Sequence, residues 1–475
     1  MVFSSLTFLF AYLPLTLLVY FLAPLKWRNL VLLAVSLVFY GWGEPVYITI
    51  MVLSILIDYT HGLLVEKYRA DDKKARRFVA QSVVFNLLLL GFFKYWDFLA
   101  DNLFLLTGLN LPASLTLLGV TIHLRNIPLP IGISFFTFQT MSYTIDVYRR
   151  DAPVQRNIVN FGAFVTMFPQ LIAGPIVKYK TVAEDLDHRA NTAEDFALGA
   201  CRFCVGLAKK VLLANSIGAL WDAQLAAQRA GELTVAGGWM GLLAFGFQIY
   251  FDFSGYSDMA IGLGRIFGFH FNENFDYPYL SASVTEFWRR WHMSLTSWFR
   301  EYLYIPLGGN RGGTAKTLRN ILIVWFCTGF WHGASWNFIL WGLYFAGWLI
   351  LEKYVLKGAL AKTPAWVKHL YTLIVVFVGW GIFAMEDLSV CGAYLTNCFG
   401  GAPLWSALDG YTLRSYAVTF LVLIVASTDL GKRCWQRLPQ RVRQVLTPIL
   451  MLLALIVSTA YLVDGSYNPF LYFRF

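Results

Sequence analysis

The chain has 475 residues, of which 57% are hydrophobic and only 14% are charged, and it carries a net charge of +10 at pH 7. A typical soluble domain has about 25% charged residues, so this apolar surplus excludes an ordinary water-soluble globular protein and indicates a membrane protein. The basic residues cluster in short connections, 67–77 and 432–443, as the positive-inside rule expects of cytoplasmic loops, so the charge does not predict nucleic-acid binding.

Apolar runs along the chain predict helices, and the longer runs have room for two spans or a re-entrant segment. The runs cover residues 3–23, 29–43, 46–65, 78–96, 115–136, 158–176, 195–221, 236–270, 319–351, 370–385, 415–428 and 445–463. The sequence therefore predicts an all-α polytopic membrane protein that forms a single domain over residues 1–475. The first run, 3–23, has neither a basic leader region nor a cleavage site, so we interpret it as a retained span rather than a signal peptide.

The loop charges also predict an orientation in the membrane. If 67–77 and 432–443 are cytoplasmic, counting spans from them places both the N-terminus and the C-terminus outside the cytoplasm. The run 445–463 has 19 residues, and a helix of that length extends about 28 Å, enough to cross once. Residues 464–475, which end in FLYFRF, are therefore predicted to form an extracytoplasmic aromatic tail.

Two stretches carry polar or reactive side chains inside apolar runs. CRFC (201–204) has the spacing of a metal-binding pair, but no second pair completes a site, so we interpret both as core cysteines and expect no bound metal. The second stretch is residues 249–264, which carries Asp252, Ser254 and Asp258. A charged residue in lipid costs roughly 2.5–3.5 kcal/mol on insertion scales, so the presence of these residues needs an explanation. Contacts between helices are the simpler explanation of these three residues, and a role along the substrate path is the alternative.

Residues 283–311 predict an amphipathic helix near the cytoplasmic interface. Ser283 and Glu286 have the spacing of a capping box at its start. One face is apolar and the others are basic; the apolar positions are Trp288, Trp291, Leu295, Trp298 and Tyr302, and the basic ones are Arg289, Arg290 and Arg300. His292 lies beside the apolar face, where a lone histidine is usually a structural residue.

The same stretch ends in GGNR (308–311), which predicts a flexible turn. Arg311 in this turn could meet an anionic group, with Asn310 beside it. A plain loop is an equally good interpretation.

A second histidine-bearing stretch is FWHGASW (330–336), inside the apolar run 319–351. His332 lies near the middle of that run, where an ionisable residue is uncommon and marks a candidate functional site. Trp331 and Gly333 flank it and are compatible with a packed, water-poor pocket that the backbone approaches closely. On these residues alone, a catalytic or proton-handling role and a structural role both remain open.

In their order along the chain, these motifs resemble the membrane-bound O-acyltransferase superfamily, in particular the branch that includes the membrane subunit of bacterial alginate O-acetyltransferase and related polysaccharide O-acetylases. The likeness covers nearly the whole chain. It is carried by LPIGISFFTFQ (129–139), FPQLIAGPI (168–176), YFDFSGYSDMAIGLG (250–264), TEFWRRWHMSL (285–295), YIPLGGNR (304–311), WHGASW (331–336) and FLYFRF (470–475). FAME (383–386) departs from the pattern, since an arginine is expected after its phenylalanine.

The resemblance implies a ring of tilted transmembrane and re-entrant helices around a central funnel or tunnel. It implies an acyltransferase of the bacterial inner membrane that passes acetyl from a cytoplasmic donor, acetyl-CoA, with no tightly bound cofactor. The expected partners are membrane lipid, an extracytoplasmic acetyltransferase of the SGNH type and an exported polysaccharide. Alginate, cellulose, peptidoglycan or another polymer could be the final acceptor.

The resemblance also implies roles for particular residues. His332 matches the essential histidine of the family and His292 matches its second histidine. Phe470, Tyr472 and Phe475 match a terminal F-x-Y-x-x-F pattern, position for position. We expect His332 to act as the general base, and His292 either to orient His332 or to polarise the thioester carbonyl. We hypothesise that Tyr472 accepts the acyl group while the phenylalanines dock the tail.

Two other classes of function compete with this interpretation. A transporter or flippase without chemistry of its own should show repeated halves with interrupted helices, which the sequence does not show. A scaffold for an export machine leaves His332 and Tyr472 unexplained. For the tail alone, an interfacial aromatic anchor is the alternative to an acyl carrier.

Overall fold

The computed structural model describes residues 1–117, 120–465 and 470–471, and gives only the backbone for 115–117 and 120–123. Nearly every described element is a helix, which confirms the predicted all-α class. Contacts between Cα atoms group the chain into two compact units. The first comprises residues 1, 7–196 and 263–271, and the second comprises 2–6, 197–262 and 272–475. The prediction of a single domain stays a prediction.

The first unit contains nine helices among its described residues. They are α1 (Leu13–Leu22), α2 (Arg28–Gly43), α3 (Ile48–Lys67), α4 (Asp72–Leu90), α5 (Trp96–Thr107), α6 (Ile133–Arg149), α7 (Ile158–Thr166), α8 (Phe168–Leu171) and α9 (Tyr179–His188). Helices α3, α4 and α6 pack together, and Asp58 on α3 accepts buried hydrogen bonds from Ser82 and Asn86 on α4. These buried polar residues therefore serve as contacts between helices.

The second unit contains most residues of α10 and α12 and all of the remaining helices. These helices are α10 (Ala193–Ala208), α11 (Asn215–Ala230), α12 (Val235–Ile266), α13 (Val284–Arg290), α14 (Met293–Phe299), α15 (Thr314–His332), α16 (Trp336–Tyr354), α17 (Lys357–Lys362), α18 (Ala365–Ala384), α19 (Leu388–Thr396), α20 (Ala407–Ala426), α21 (Leu430–Arg437) and α22 (Gln440–Asp464). Short π-helical segments cover Lys209–Ala214 and Arg300–Tyr304. Helix α16 packs against α13, α15 and α18, so these four helices form the part of the unit that carries the histidines.

Within the described residues, five helical stretches are long and apolar enough to cross a membrane. They are Ile48–Lys67, Asp72–Thr107, Ala365–Ala384, Ala407–Ala426 and Gln440–Asp464. The last has little protein around it, since only 6% of its most apolar 18-residue stretch is buried. A helix this apolar and this exposed needs lipid around it, which agrees with the predicted membrane protein.

The helix predicted over 115–136 is wrong. An antiparallel hairpin forms there from β1 (Ser114–Leu117) and β2 (Val120–His123), and α6 begins only at Ile133. Pro128 and Pro130 lack the backbone N–H that a helix interior requires. Gly132 then adopts φ 77°, and a Cβ there would lie 2.6 Å from the carbonyl oxygen of Leu171, so only glycine fits.

The single amphipathic helix predicted over 283–311 is also wrong, because α13 ends before His292 and α14 begins after it. The predicted start is right: Ser283 Oγ accepts a hydrogen bond from the N–H of Glu286 at 3.0 Å. The Glu286 carboxylate bonds to the N–H of Ala282 at 2.9 Å rather than to that of Ser283, one residue earlier than in a capping box. The five apolar residues of the predicted face are all buried within the protein.

Candidate active site

His332 is the last residue of α15, where the chain turns into α16. Its side chain is buried among aromatic rings. The ring centroids of Trp331, Trp341 and Phe383 lie 5.1, 5.1 and 5.2 Å from that of the imidazole. An imidazole in this water-poor setting can exchange a proton with a bound group without competition from bulk water.

Three glycines let α15 and α16 pack closely beside this turn. A Cβ at Gly329 would lie 3.3 Å from the Cα of Gly342, and a Cβ at Gly342 would lie 3.2 Å from the Cα of Gly329. A Cβ at Gly333 would overlap the ring of Phe338. Small residues at these positions therefore determine where α15 ends, and with it where His332 lies.

His292 occupies the break between α13 and α14, with φ 44° and ψ 52°, and it is buried. The backbone N–H of Ser294 donates to Asn274 at 3.2 Å, and because a backbone N–H can only donate, the accepting atom must be the amide oxygen Oδ1. The Nδ1 atom of His292 lies 3.1 Å from the same oxygen. Ser294 Oγ, 3.4 Å from Nδ1, donates to that oxygen as well, at 2.9 Å. We therefore assign the ring proton to Nδ1, which leaves the lone pair of the neutral ring on Nε2.

The Nε2 atom of His292 is buried and has no hydrogen-bond partner among the residues that the structure describes. His292 lies outside the helices that can span a membrane, and burial lowers its pKa to about 3. The ring is therefore neutral at ordinary pH, and Nε2 can accept a hydrogen bond but not donate one. This tautomer disfavours the idea that His292 polarises a carbonyl through an Nε2 proton.

His332 lines two cavities. The larger, about 200 Å³, is also lined by His292 and extends past Arg300 and Tyr304. The smaller, about 20 Å³, has room for about one water molecule. Its other lining residues include Asp252, Phe470 and Leu471. Trp291 borders both cavities, so His332 and Trp291 together separate one space from the other.

The described part of the C-terminal tail is buried and lines this smaller cavity. Phe470 packs against the rings of Phe253 and Tyr256, with centroids 5.8 and 5.0 Å away. The N–H of Leu471 donates to Asp252 Oδ2 at 2.7 Å. Of the predicted tail residues, Phe470 is thus adjacent to the cavity of His332, whereas Tyr472 and Phe475 lie outside the described residues.

Ser254 and Asp258, predicted together with Asp252, line a different cavity of about 560 Å³. Asp258 forms ion pairs there with Arg202 at 2.9 Å and with Lys209 at 2.7 Å. Neither Ser254 nor Asp258 lines a cavity of His332. The structure therefore separates these two residues from Asp252.

The other predicted supporting residues lie at the surface. Arg289 and Arg311 are exposed, and neither lines a cavity of His332. Asn310 is exposed too, and its Oδ1 accepts hydrogen bonds from Tyr304 at 2.7 Å and from Lys353 at 2.6 Å. Asn310 is therefore connected to the larger cavity only through Tyr304.

Sequence reasoning missed two residues of this region. Lys210 forms a buried ion pair with Asp252, and Asn274 orients His292. Lys210 could have been found, because it is a charged residue inside the apolar run 195–221, the same signal that identified Asp252. Asn274 lies in an irregular connection and gave no such signal.

Comparison with known proteins shows what the whole chain is similar to. Residues 46–395 match the sequence model of MBOAT, the membrane-bound O-acyltransferase family. The chain is 43% identical to a probable alginate O-acetylase of Azotobacter vinelandii over 425 residues, which cover 89% of this chain and 83% of that protein. It is 40% identical to the corresponding protein of Pseudomonas putida over the full length of both. A peptidoglycan O-acetyltransferase of Helicobacter pylori is 36% identical over 72% of this chain and 68% of its own length.

Proposed function

Because the chain belongs to the membrane-bound O-acyltransferase family, we propose that it transfers acetyl from a cytoplasmic donor, acetyl-CoA, for the O-acetylation of an exported polysaccharide. Two of its relatives are named for alginate and peptidoglycan O-acetylation, which supports a polysaccharide as the final acceptor. We place the enzyme in the bacterial inner membrane with both termini outside the cytoplasm. An SGNH-type partner on that side completes the transfer to the polymer.

One observation carries the residue-level proposal: the tail residues Phe470 and Leu471 line the same cavity as His332. The larger cavity on the other side of His332 has room for the acyl arm of a donor. His332 therefore lies between a space suited to the donor and the place where the tail is docked. This supports a relay in which His332 acts on Tyr472, the residue that follows Leu471.

In the proposed step, the phenol oxygen of Tyr472 attacks the carbonyl carbon of the thioester while His332 removes the phenol proton. The C–S bond breaks, the CoA thiolate leaves, and the imidazolium of His332 returns the proton to give free CoA and an acetyl ester on Tyr472. The pKa of a phenol, near 10, is closer to the pKa of a thiol than the pKa of an aliphatic hydroxyl is. The acetyl ester of Tyr472 therefore keeps much of the free energy of acetyl transfer of the thioester. A serine of the partner can then take the acetyl group and pass it to the polymer.

The buried Nε2 of His292 has a separate place in this scheme. Because it accepts hydrogen bonds, we assign it to an amide N–H group of the donor in the larger cavity. His292 then orients the donor, and His332 alone handles the proton.

Mass spectrometry of the intact C-terminal peptide tests the relay. The purified full-length chain, from cells that lack the partner, should carry one acetyl group on Tyr472. The acetyl group should be missing in His332→Ala, and release of CoA from acetyl-CoA should fall about 10²–10⁴-fold in that variant.

Tyr472→Phe is the matched control, since it keeps the aromatic ring and removes the nucleophile. If polymer acetylation stays normal in Tyr472→Phe, the tail is an anchor and the acetyl group leaves by another route. If CoA release is unchanged in His332→Ala, His332 is not the base.

A further inference from the structure

We propose that Asp252 and Lys210 are positioning residues that hold the main chain of the C-terminal tail beside His332. Together with Phe253 and Tyr256 they form what we call the tail site. This inference rests on the proposed relay for its purpose, but its contacts stand by themselves.

The core of the tail site is a buried ion pair. Asp252 on α12 is 1% exposed, Lys210 in the π-helical segment Lys209–Ala214 is 3% exposed, and Lys210 Nζ contacts Asp252 Oδ1. Oδ2, the other oxygen of Asp252, accepts the N–H of Leu471 at 2.7 Å. One carboxylate therefore joins α12, the π-helical segment and the tail.

Stability alone gives a weak reason for this arrangement. A buried ion pair is often no more stabilising than apolar residues of the same size, because both charges lose their hydration. A hydrogen bond to an ionised acceptor is stronger than one between neutral groups. The carboxylate is therefore well suited to hold a peptide N–H, and Lys210 supplies the opposite charge beside it inside the protein.

Aromatic rings next to Asp252 on α12 complete the tail site. Phe253 and Tyr256 pack against Phe470, the residue before the bonded N–H. Phe253 also meets the ring of His292 edge to face, with centroids 4.7 Å apart. The tail site thus fixes Phe470 by its side chain and Leu471 by its main chain, immediately before Tyr472.

Two double variants test this with a matched pair. Lys210→Met with Asp252→Asn removes both charges but keeps an acceptor for the Leu471 N–H. Lys210→Met with Asp252→Leu also removes both charges and takes the acceptor away. The two proteins differ at one side chain of similar size, so a difference between them reports the hydrogen bond to the tail.

Amide hydrogen exchange in the full-length chain is the first measurement. We expect the peptide containing Leu471 to exchange about tenfold faster in the leucine variant than in the asparagine variant, as the loss of one buried hydrogen bond predicts. The rate of acetyl loading on Tyr472, expressed per mole of folded protein, should fall by a similar factor with an unchanged KM for acetyl-CoA. Expressing the rate in this way removes the effect of a general loss of folded protein.

A second comparison leaves the buried pair intact. Leu471→Pro removes the N–H that Asp252 holds, and Leu471→Met keeps it. In the proline variant, the remaining tail amides should exchange about tenfold faster than in the methionine variant.

Equal exchange rates within both pairs would overturn the tail site, whatever the acetylation activity. Faster exchange with unchanged acetyl loading would keep the tail site but overturn the proposed role of the tail in the relay. The two proposals can therefore fail separately.

Discussion

The backbone conformation of His292 determines what its side chain can do. His292 adopts a left-handed conformation between α13 and α14, and its imidazole lies against Asn274. The N–H of Ser294 identifies the contacting atom of Asn274 as its amide oxygen. That contact uses the one proton of the neutral ring and leaves Nε2 as an acceptor. His332, in contrast, is the last residue of the regular helix α15 and is surrounded by aromatic rings. The two histidines therefore differ in their surroundings, although both line one cavity.

His292→Asn should therefore separate binding of the donor from proton transfer. An asparagine amide can still donate to Asn274 but has no atom at the position of Nε2, so we expect acetyl transfer to fall about tenfold, the value of one hydrogen bond. Because burial lowers the pKa of His292 to about 3, this ring is neutral in the wild-type protein between about pH 5 and 8. The acid limb of the pH–rate profile should thus stay where it is in the variant. A shifted limb would mean that His292 titrates during the reaction.

Among the elements, the crossing of α15 and α16 matters most for the site. Gly329 and Gly342 bring the two helices into backbone contact. His332 lies three residues after Gly329 on the same helix. Close packing transmits displacement because protein interiors compress little. A change in the distance between these helices therefore moves the imidazole relative to both cavities.

Gly342→Ala should lower the free energy of unfolding by about 1–3 kcal/mol, the usual effect of overpacking. It should also lower the rate of CoA release by the protein that remains folded, because His332 is displaced. Gly347, five residues along α16, has open space where a Cβ would lie. Gly347→Ala is thus the control and should be neutral or stabilising by up to about 1 kcal/mol. Reversible unfolding in detergent and CoA release measure the two effects. Similar results for both variants would contradict the importance of this crossing.

Local patterns predicted individual helices well and their interruptions poorly. The apolar spacing of Trp288, Trp291 and Leu295 continues across the break at His292, so periodicity alone indicates one helix. The break depends on Asn274, which lies 18 residues earlier in the chain, and pattern reasoning does not see such a contact. Over 115–136 the failure was different, since Pro128 and Pro130 were visible but were outweighed by the apolar residues around them.

For the whole molecule, composition was the most informative property. The surplus of apolar residues predicted a membrane protein, and α22 shows it directly as a long helix with little protein around it. Apolar runs also make single residues informative, because His332 and Asp252 are polar residues inside such runs. Which charge pairs with which could not be predicted, because Lys210 and Asp252 are joined only by the fold.

The predicted orientation can be tested with cysteine labelling. Cys434 is the one exposed cysteine among the described residues, and it lies in the basic segment 432–443. In intact cells a membrane-permeant maleimide should label Cys434, whereas an impermeant maleimide should not. Gly465→Cys, introduced at the exposed end of α22 in a Cys434→Ser background, should react with the impermeant reagent. The reverse labelling pattern would show that the topology is opposite to the predicted one.

The contact between Asp252 and Leu471 also has a consequence for inhibitor design. The carboxylate holds a peptide N–H, and the two rings hold the aromatic side chain before it, so the identity of the side chain at residue 471 contributes nothing to that hydrogen bond. A short peptide mimic therefore needs only an aromatic group followed by an unsubstituted amide to compete for this position. N-methylation of that one amide replaces the N–H by a methyl group and so provides an inactive control for every such compound.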